Sequence, residues 1–169
     1  QCCAADLRTI SCAPMTVLLF VHEQANVRIP QGIPDEQFVR GKVPMTKQEV
    51  RAVVLSKLKL EPTMTCWDIG AGTGSVSVEM ALTAWQGQVY AVECNPEGLA
   101  LLAANRKKWR AANLVSVAGL APEAALDLPA PDAVFIGGSK GNLREILLLI
   151  LQKNPRSRIV ATAVTLETV

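Results

Sequence analysis

Two patterns of hydrophobic residues, one typical of strands and one of helices, alternate along residues 46–162 of the chain. Short runs of apolar and β-branched residues predict strands, and the stretches between them repeat their apolar positions at helical spacing. The predicted strands are Thr65–Ile69, Val89–Glu93, Val115–Ala118, Ala133–Ile136 and Arg158–Thr162. The predicted helices are Lys47–Leu58, Ser75–Trp85, Pro96–Ala111 and Asn142–Lys153, with a shorter helical piece at Pro122–Leu128.

This alternation is typical of an α/β fold in which helices connect parallel strands and cover both faces of the sheet. We therefore expect a doubly wound, mainly parallel sheet. The sequence ends at Val169, a few residues after the fifth predicted strand, which would leave that strand as an exposed edge. We expect either that a neighbouring chain covers this edge or that the chain is truncated at its C-terminus.

The pattern changes near residue 30. Residues 14–21 predict a strand, and the stretch Gln31–Pro34 then breaks any regular element. We therefore divide the chain into an N-terminal segment, residues 1–30, and one domain, residues 31–169. Within that domain, Thr46 is a candidate N-cap of the first helix, and Glu49 three residues later completes a capping box.

Composition narrows the class of protein. The chain has 169 residues, of which 50% are hydrophobic and 19% charged, so it can bury one core and is not disordered. Its net charge of +2 is too small for a protein that binds nucleic acid through many phosphate contacts. Its apolar runs are far shorter than the ~20 residues of a membrane-spanning helix. We expect neither nucleic acid nor a membrane as a partner.

Cysteine and histidine usage argues against metal and triad chemistry. The five cysteines lack C-x-x-C spacing and there is one histidine, so we expect no metal site and no histidine-based triad. Unpaired cysteines fit a reducing cytoplasm. Cys66 and Cys94 are interpreted as small buried residues beside strands.

A glycine-rich turn follows the strand Thr65–Ile69. It reads Asp68-Ile-Gly70-Ala-Gly72-Thr-Gly74-Ser75 and lies at the carboxyl end of the strand, where open parallel sheets bind ligands. Dinucleotide sites have the spacing G-x-G-x-x-G, whereas this turn has G-x-G-x-G with Ser75 at the third-glycine position. The turn is therefore a poor match to a dinucleotide site.

Two acids at strand ends complete the candidate site. The Asp68 carboxylate, if directed into the crevice, would repel a pyrophosphate and attract a cationic ligand, which favours the sulfonium S-adenosylmethionine over NAD. Glu93 ends the next strand and can accept hydrogen bonds from a ribose diol. Both cofactor classes use such an acid, so Glu93 indicates a nucleoside without choosing between them.

The segment Asp68–Gly74 resembles the first motif of class I S-adenosylmethionine-dependent methyltransferases. Six motifs, in order, more closely resemble the decarboxylating precorrin methyltransferases of cobalamin biosynthesis, both the precorrin-6Y C5,15-methyltransferases and their stand-alone C15-methylating relatives. These motifs are Gly32–Phe38, Thr46–Arg51, Trp67–Ser75, Ala121–Glu123, Phe135–Ser139 and Ala161–Glu167.

Residues 11–20 resemble the closing strand of the tetrapyrrole methylase domain that precedes this module in fused family members. If that resemblance holds, the chain is part of a longer protein with two domains. The alternative is an ordinary N-terminal strand that packs on the same core.

The resemblance implies a Rossmann-like fold and S-adenosyl-L-methionine as cofactor. It places Thr46 near the methyl donor, the glycine loop under the methionine part, Glu93 on the ribose and the Ala121 backbone near the adenine. The implied cofactor-binding set is Thr46, Asp68, Gly70, Ala71, Gly72, Thr73, Gly74, Glu93 and Ala121. Leu120 stands where many relatives have an acid, so its contact with adenine is through the backbone or absent.

The implied reaction methylates C15 of a precorrin and removes the C12 acetate carboxylate. A carbon nucleophile of this kind needs no strong base, and we name no catalytic residue. The substrate is a tetrapyrrole bordered by carboxylates, so cations near the crevice are candidates to bind it. The candidate substrate residues are Lys47, Arg51, Gly138, Ser139 and Lys140. Relatives are often oligomeric, so we expect a homo-oligomer.

Two other functions remain open at this point. The family likeness could be limited to the cofactor half, with another small molecule as the methyl acceptor. Alternatively, the chain could be a non-catalytic module whose incomplete sheet serves assembly.

Overall fold

A computed structural model of the chain describes residues 31–163. The helices are α1 (Gln48–Leu58), α2 (Ser75–Thr83), α3 (Pro96–Lys108) and α4 (Leu143–Lys153), and the strands are β1 (Thr65–Ile69), β2 (Gln88–Glu93), β3 (Leu114–Ala118), β4 (Ala133–Ile136) and β5 (Arg158–Ala161). Single 3-10 turns cover Asp35–Gln37 and Glu123–Ala125. The strand predicted for residues 14–21 and the last residues of the final motif lie outside the described range.

The five strands form one parallel sheet in the order β3-β2-β1-β4-β5. This order has its reversal between β1 and β4, the switch point at which doubly wound sheets bind ligands. The predicted doubly wound α/β fold is therefore confirmed. Among the described residues, β5 pairs only with β4 and forms one edge of the sheet, as expected from the strand count.

Each face of the sheet carries its own apolar core. On one face, Val54 of α1, Met80 of α2 and Leu102 of α3 are buried against alternate strand residues such as Cys66. On the other face, α4 packs against Trp67 and its neighbours. The alternation of side chains along β1 thus assigns each of its residues to one core or the other.

The capping box predicted at Thr46 is wrong. Helix α1 starts at Gln48, its N-cap is Lys47, and no side chain caps its first turn. The Thr46 carbonyl instead accepts a hydrogen bond from the Arg51 guanidinium. Thr46 therefore belongs to the extended segment before the helix.

The predicted ends of two helices extend too far. Helix α2 ends at Thr83 rather than Trp85, and α3 ends at Lys108 rather than Ala111. After α3 the backbone turns back toward β3 through Arg110, whose φ of +52° lies in the left-handed region. The Pro122–Leu128 piece contains only the 3-10 turn Glu123–Ala125.

Candidate active site

A cavity of about 660 Å³ opens at the carboxyl ends of the strands. Its volume lies within the range of ~300–1,000 Å³ that is usual for small-molecule sites. The lining residues come from the segment before α1, from Val50 of α1, from the last residues of β1 and β2, and from the loops that follow the five strands. They are Val43, Pro44, Met45, Thr46, Lys47, Val50, Ile69, Gly70, Ala71, Gly72, Val92, Glu93, Cys94, Asn95, Gly119, Leu120, Ala121, Gly137, Gly138, Ser139, Lys140, Thr162 and Ala163.

The glycine loop after β1 needs its glycines because its backbone adopts left-handed conformations and because another loop packs directly against it. Gly70, Gly72 and Gly74 have φ values of +74°, +56° and +75°, in the left-handed region. A Cβ on Gly70 would lie 2.6 Å from the carbonyl oxygen of Gly138, in the loop after β4. The two loops thus touch through their main chains at the switch point, which exposes backbone atoms to the cavity.

Glu93 lies at the end of β2 and joins the glycine loop to the next turn. Its Oε2 accepts a hydrogen bond of 2.6 Å from the Gly72 amide, and its Oε1 accepts one of 2.7 Å from the Asn95 amide. The side chain still lines the cavity, and each carboxylate oxygen has lone pairs left for a further donor. Its position is the one expected for an acid that binds a ribose diol.

Asp68 does not face the cavity, contrary to the sequence prediction. Its side chain is fully buried, its Oδ2 accepts a hydrogen bond from the Ser77 hydroxyl, and its Oδ1 has no partner among the described residues. The strand alternation that sends Trp67 toward α4 sends Asp68 toward α2, beneath the glycine loop. Asp68 can therefore support the loop from below but does not line the space that a ligand would fill.

The electrostatics of Asp68 also differ from the prediction. Burial raises the pKa of Asp68 to about 7, the hydrogen bond from Ser77 opposes that rise, and the nearby Glu93 charge adds to it. The protonated form of the carboxyl group is therefore favoured far more than in an exposed aspartic acid. It attracts a cationic ligand less strongly than the fully ionised carboxylate assumed from the sequence.

Arg51 does not line the cavity, contrary to its prediction as a substrate residue. Its guanidinium is fully buried and pairs with Glu79 at 2.9 Å and with Asp35 at 2.8 Å. Two further donors bond to the carbonyl oxygens of Ile33 and Thr46. A buried arginine with two carboxylate partners is a structural group, and here it holds the segment before α1 in place.

Asp35, one of the two carboxylate partners of Arg51, is a stronger acid than an ordinary aspartic acid because its pKa is lowered. Burial opposes the effect, but the hydrogen bond and charge of Arg51 and the charge of Lys47 lower the pKa of Asp35. The carboxylate therefore stays ionised and paired with Arg51 at neutral pH.

The other predicted residues fall into two groups. Thr46, Ala71 and Ala121 line the cavity, as do the substrate candidates Lys47, Gly138, Ser139 and Lys140. Thr73 and Gly74 do not line it, because the loop turns there into α2. Lys47 is largely exposed and lies 3.6 Å from Asp35, and Lys140 is exposed at the end of the loop after β4.

Sequence reasoning missed several parts of the site. Cys94 is exposed and lines the cavity, so its interpretation as a buried residue is wrong, whereas Cys66 is buried as predicted. The apolar wall Val43–Met45 had no periodic signal because it lies in irregular structure. Gly98 was also missed: a Cβ there would lie 2.9 Å from Glu93 Cγ, so this glycine leaves room for the acid.

The residues around the cavity fit S-adenosylmethionine. The cavity is bordered by exposed loop backbone, by one carboxylate at the end of β2 and by apolar walls, which suits a nucleoside with a short charged tail.

None of the helices between residues 31 and 163 is long and apolar enough to cross a membrane.

A family model described as a precorrin methyltransferase domain matches residues 36–169 of the chain. A protein of Pyrobaculum calidifontis named "probable cobalt-precorrin-6B C(15)-methyltransferase (decarboxylating)" is 47% identical over 139 residues. The match covers 80% of this chain and 71% of that protein.

Two solved structures are also similar. The precorrin-6y C5,15-methyltransferase from Geobacter metallireducens has a TM-score of 0.79 at 46% identity, covering 82% of this chain and 75% of that one. The C-terminal domain of precorrin-6Y C5,15-methyltransferase from Rhodobacter capsulatus has a TM-score of 0.74 at 36% identity, covering 82% and 73%. In both cases most of this chain is covered.

Proposed function

Because the chain belongs to the precorrin methyltransferase domain family and has the class I methyltransferase fold, we propose that it methylates C15 of a precorrin in cobalamin biosynthesis. The proposed reaction takes the methyl group from S-adenosyl-L-methionine and removes the C12 acetate carboxyl group. The observation that carries the proposal is the cavity at the switch point, bordered by the glycine loop and Glu93. Names of relatives supply the acceptor carbon and the decarboxylation.

When bound, S-adenosyl-L-methionine would supply a methyl group activated by the positive charge on its sulfur. The glycine loop would present backbone atoms of Gly70 and Gly72 to the cofactor, and Glu93 would accept hydrogen bonds from its ribose hydroxyls. Thr46 and the Ala121 backbone line the same space and complete the proposed cofactor set. Binding and orientation of this kind are the main contribution an enzyme makes to a displacement at carbon.

The proposed substrate residues lie on the rim of the same cavity. Lys47 precedes α1 and Lys140 follows β4, so their ammonium groups can pair with carboxylates of a flat, anionic macrocycle. Gly138 and Ser139 line the cavity between β4 and Lys140, and nothing lies within 4 Å of a Cβ built on Gly138, which leaves space there for a ring. A cytoplasmic location, self-association and fusion to a tetrapyrrole methylase domain stay predictions.

The first test is cofactor binding. Isothermal titration of the protein with S-adenosylhomocysteine should give one site, and titration with NADH should give none. Glu93→Gln keeps the size of the side chain but removes its charge and one acceptor, so we expect about tenfold to 100-fold weaker binding of S-adenosylhomocysteine. Binding of NADH in place of S-adenosylhomocysteine would contradict the proposal.

The second test is turnover. Incubation with S-adenosylmethionine and a precorrin should give a methylated product and one equivalent of carbon dioxide, detected by mass spectrometry and by release of label from the acetate carboxyl. Methylation of a generic small acceptor but not of a precorrin would leave the cofactor assignment intact and overturn the substrate. Cofactor binding without any turnover would favour the non-catalytic module instead.

A further inference from the structure

An irregular segment, residues 31–47, forms one wall of the cavity, and we call it the strap. Apart from the turn Asp35–Gln37 it has no helix or strand of its own, yet Val43 to Lys47 all line the cavity. A segment without a backbone ladder depends on side chains elsewhere to satisfy its buried amides and carbonyls. The positions of those side chains therefore determine where this wall stands.

The two ends of the strap are held near α1 and α2. Glu79 accepts hydrogen bonds from the amides of Gly32 and Ile33, at 2.7 and 3.3 Å. Arg51 adds bonds to the carbonyls of Ile33 and Thr46 and the ion pair with Asp35. These contacts hold the two ends of the strap, but none of them involves the glycine loop.

The middle of the strap is held by Asn105, which is fully buried on α3. Its Oδ1 accepts a hydrogen bond of 2.7 Å from the Val39 amide, and its Nδ2 donates one of 3.0 Å to the Val39 carbonyl. The same Nδ2 donates a second bond, of 2.9 Å, to the carbonyl of Thr73 in the glycine loop. One side chain thus binds the strap and the glycine loop together.

The strap and the glycine loop also approach each other at Pro44 and Gly72. A Cβ on Gly72 would lie 3.2 Å from the Pro44 carbonyl oxygen, so the strap and the loop have little room to shift without changing the cavity. A ligand seated between them gains affinity if this spacing exists before it binds, because less ordering is then required. The three hydrogen bonds of Asn105 join the two segments at Val39 and Thr73, and on the same helix the Glu97 carboxylate accepts a further bond of 2.7 Å from the Lys42 amide of the strap.

We propose that Asn105 is a positioning residue for cofactor binding, which holds the strap and the glycine loop at the spacing that the cofactor requires. This inference rests on the proposed function, since it concerns the same cavity. Asn105 does not line the cavity and acts only through the two backbone segments that it joins.

The chain offers a matched control in Asn113. Its Nδ2 donates hydrogen bonds to the carbonyls of Ala81, Ala84 and Gly87, at 3.1, 2.8 and 3.3 Å. Like Asn105 it ties irregular backbone through its amide, but it does so between the end of α2 and the start of β2, away from the strap. None of these partners lines the cavity, so we expect loss of the bonds to reduce stability and to leave the strap and the glycine loop in place.

The experiment compares Asn105→Ala with Asn113→Ala. Thermal unfolding is measured for both, and titration with S-adenosylhomocysteine is done at a temperature at which both are folded. We expect both variants to unfold at lower temperature, but only Asn105→Ala to bind S-adenosylhomocysteine about tenfold more weakly. In turnover assays, Asn105→Ala should raise the KM for S-adenosylmethionine with little change in kcat, as expected for lost binding that is common to ground and transition states.

The possible outcomes separate the inference from the proposed function. Unchanged affinity in Asn105→Ala, or an equal loss in Asn113→Ala, would overturn the positioning role alone. Absence of S-adenosylhomocysteine binding by the unaltered protein would overturn the proposed cofactor and the inference with it. If Asn105→Ala does not fold, Asn105→Ser serves in its place, because a hydroxyl has a single donor and cannot bond to both the Val39 and the Thr73 carbonyls.

Discussion

Cys66 and Cys94 each lie at or next to a strand, yet their surroundings are opposite. Cys66 is buried in the core on the α1–α3 face, and burial, with a smaller effect of Asp132, raises the pKa of its thiol to about 12. Cys94 directly follows β2 and is exposed in the cavity wall. Because a strand passes from core to solvent within one residue at its carboxyl end, sequence context alone did not distinguish the two thiols.

Alkylation should therefore distinguish these two cysteines and report on the cavity. We expect iodoacetamide to modify Cys94 in the folded protein and to leave Cys66 unmodified, since the reactive species is the thiolate. S-adenosylhomocysteine should slow modification of Cys94 because it would cover that wall. Peptide mapping by mass spectrometry measures both rates, and alkylation in denaturant, which should modify both, is the control. An unchanged Cys94 rate at saturating S-adenosylhomocysteine would contradict the location of the cofactor.

At the scale of helices and strands, the predicted bounds agree with the observed ones or not according to the residues that follow each element. The bounds of β1 and β4 are as predicted, because polar or glycine residues follow a short apolar run directly. The ends of α2 and α3 were placed too late, because the apolar pattern continues into Trp85 and Ala111 after the helical hydrogen bonds have stopped. There tertiary contacts, rather than helix propensity, decide the last turn.

The contact between the glycine loop and the loop after β4 gives a test at this scale. Gly70→Ala places a Cβ 2.6 Å from the Gly138 carbonyl oxygen at a φ of +74°, so the two loops must separate. We expect a loss of about 2 kcal/mol or more in the free energy of unfolding, measured with urea, and loss of S-adenosylhomocysteine binding.

Gly138→Ala is the matched control for that substitution. It adds a Cβ in the same pair of loops, but nothing lies within 4 Å of that position. Its stability should stay within about 0.5 kcal/mol of the unaltered protein. Equal stability of the two variants would show that the main-chain contact at Gly70 is not tight in solution.

At the scale of the whole molecule, folding buries the carboxyl group of Asp68 beneath the candidate site. Burial raises the pKa of Asp68 from 3.8 to about 7, so the folded protein holds a proton on this group that the unfolded chain releases at lower pH. The stability that this proton contributes is fully present below the pKa of Asp68 in the unfolded chain, 3.8. It is lost as the pH rises through the pKa in the folded protein, about 7.

Asp68→Asn should remove this pH dependence. Between pH 4 and 7 the free energy of unfolding of the unaltered protein should fall relative to that of the variant, by on the order of 3 kcal/mol or less. Urea unfolding at a series of pH values measures the difference, and the variant keeps an oxygen that can accept the Ser77 hydrogen bond. Parallel pH profiles for the two proteins would contradict the raised pKa.

The sequence by itself determined the alternation of strands and helices, the glycine turn and the acid at the end of β2, because each is a local pattern along the chain. From these follow the parallel sheet, the site at its carboxyl edge and the family. Only the tertiary structure decided that Asp68 points into the core, that Arg51 is a buried structural cation and that the strap forms a wall. Those facts depend on which face of an element meets which neighbour, and residues such as Asn105 and Val39 are brought together only by folding.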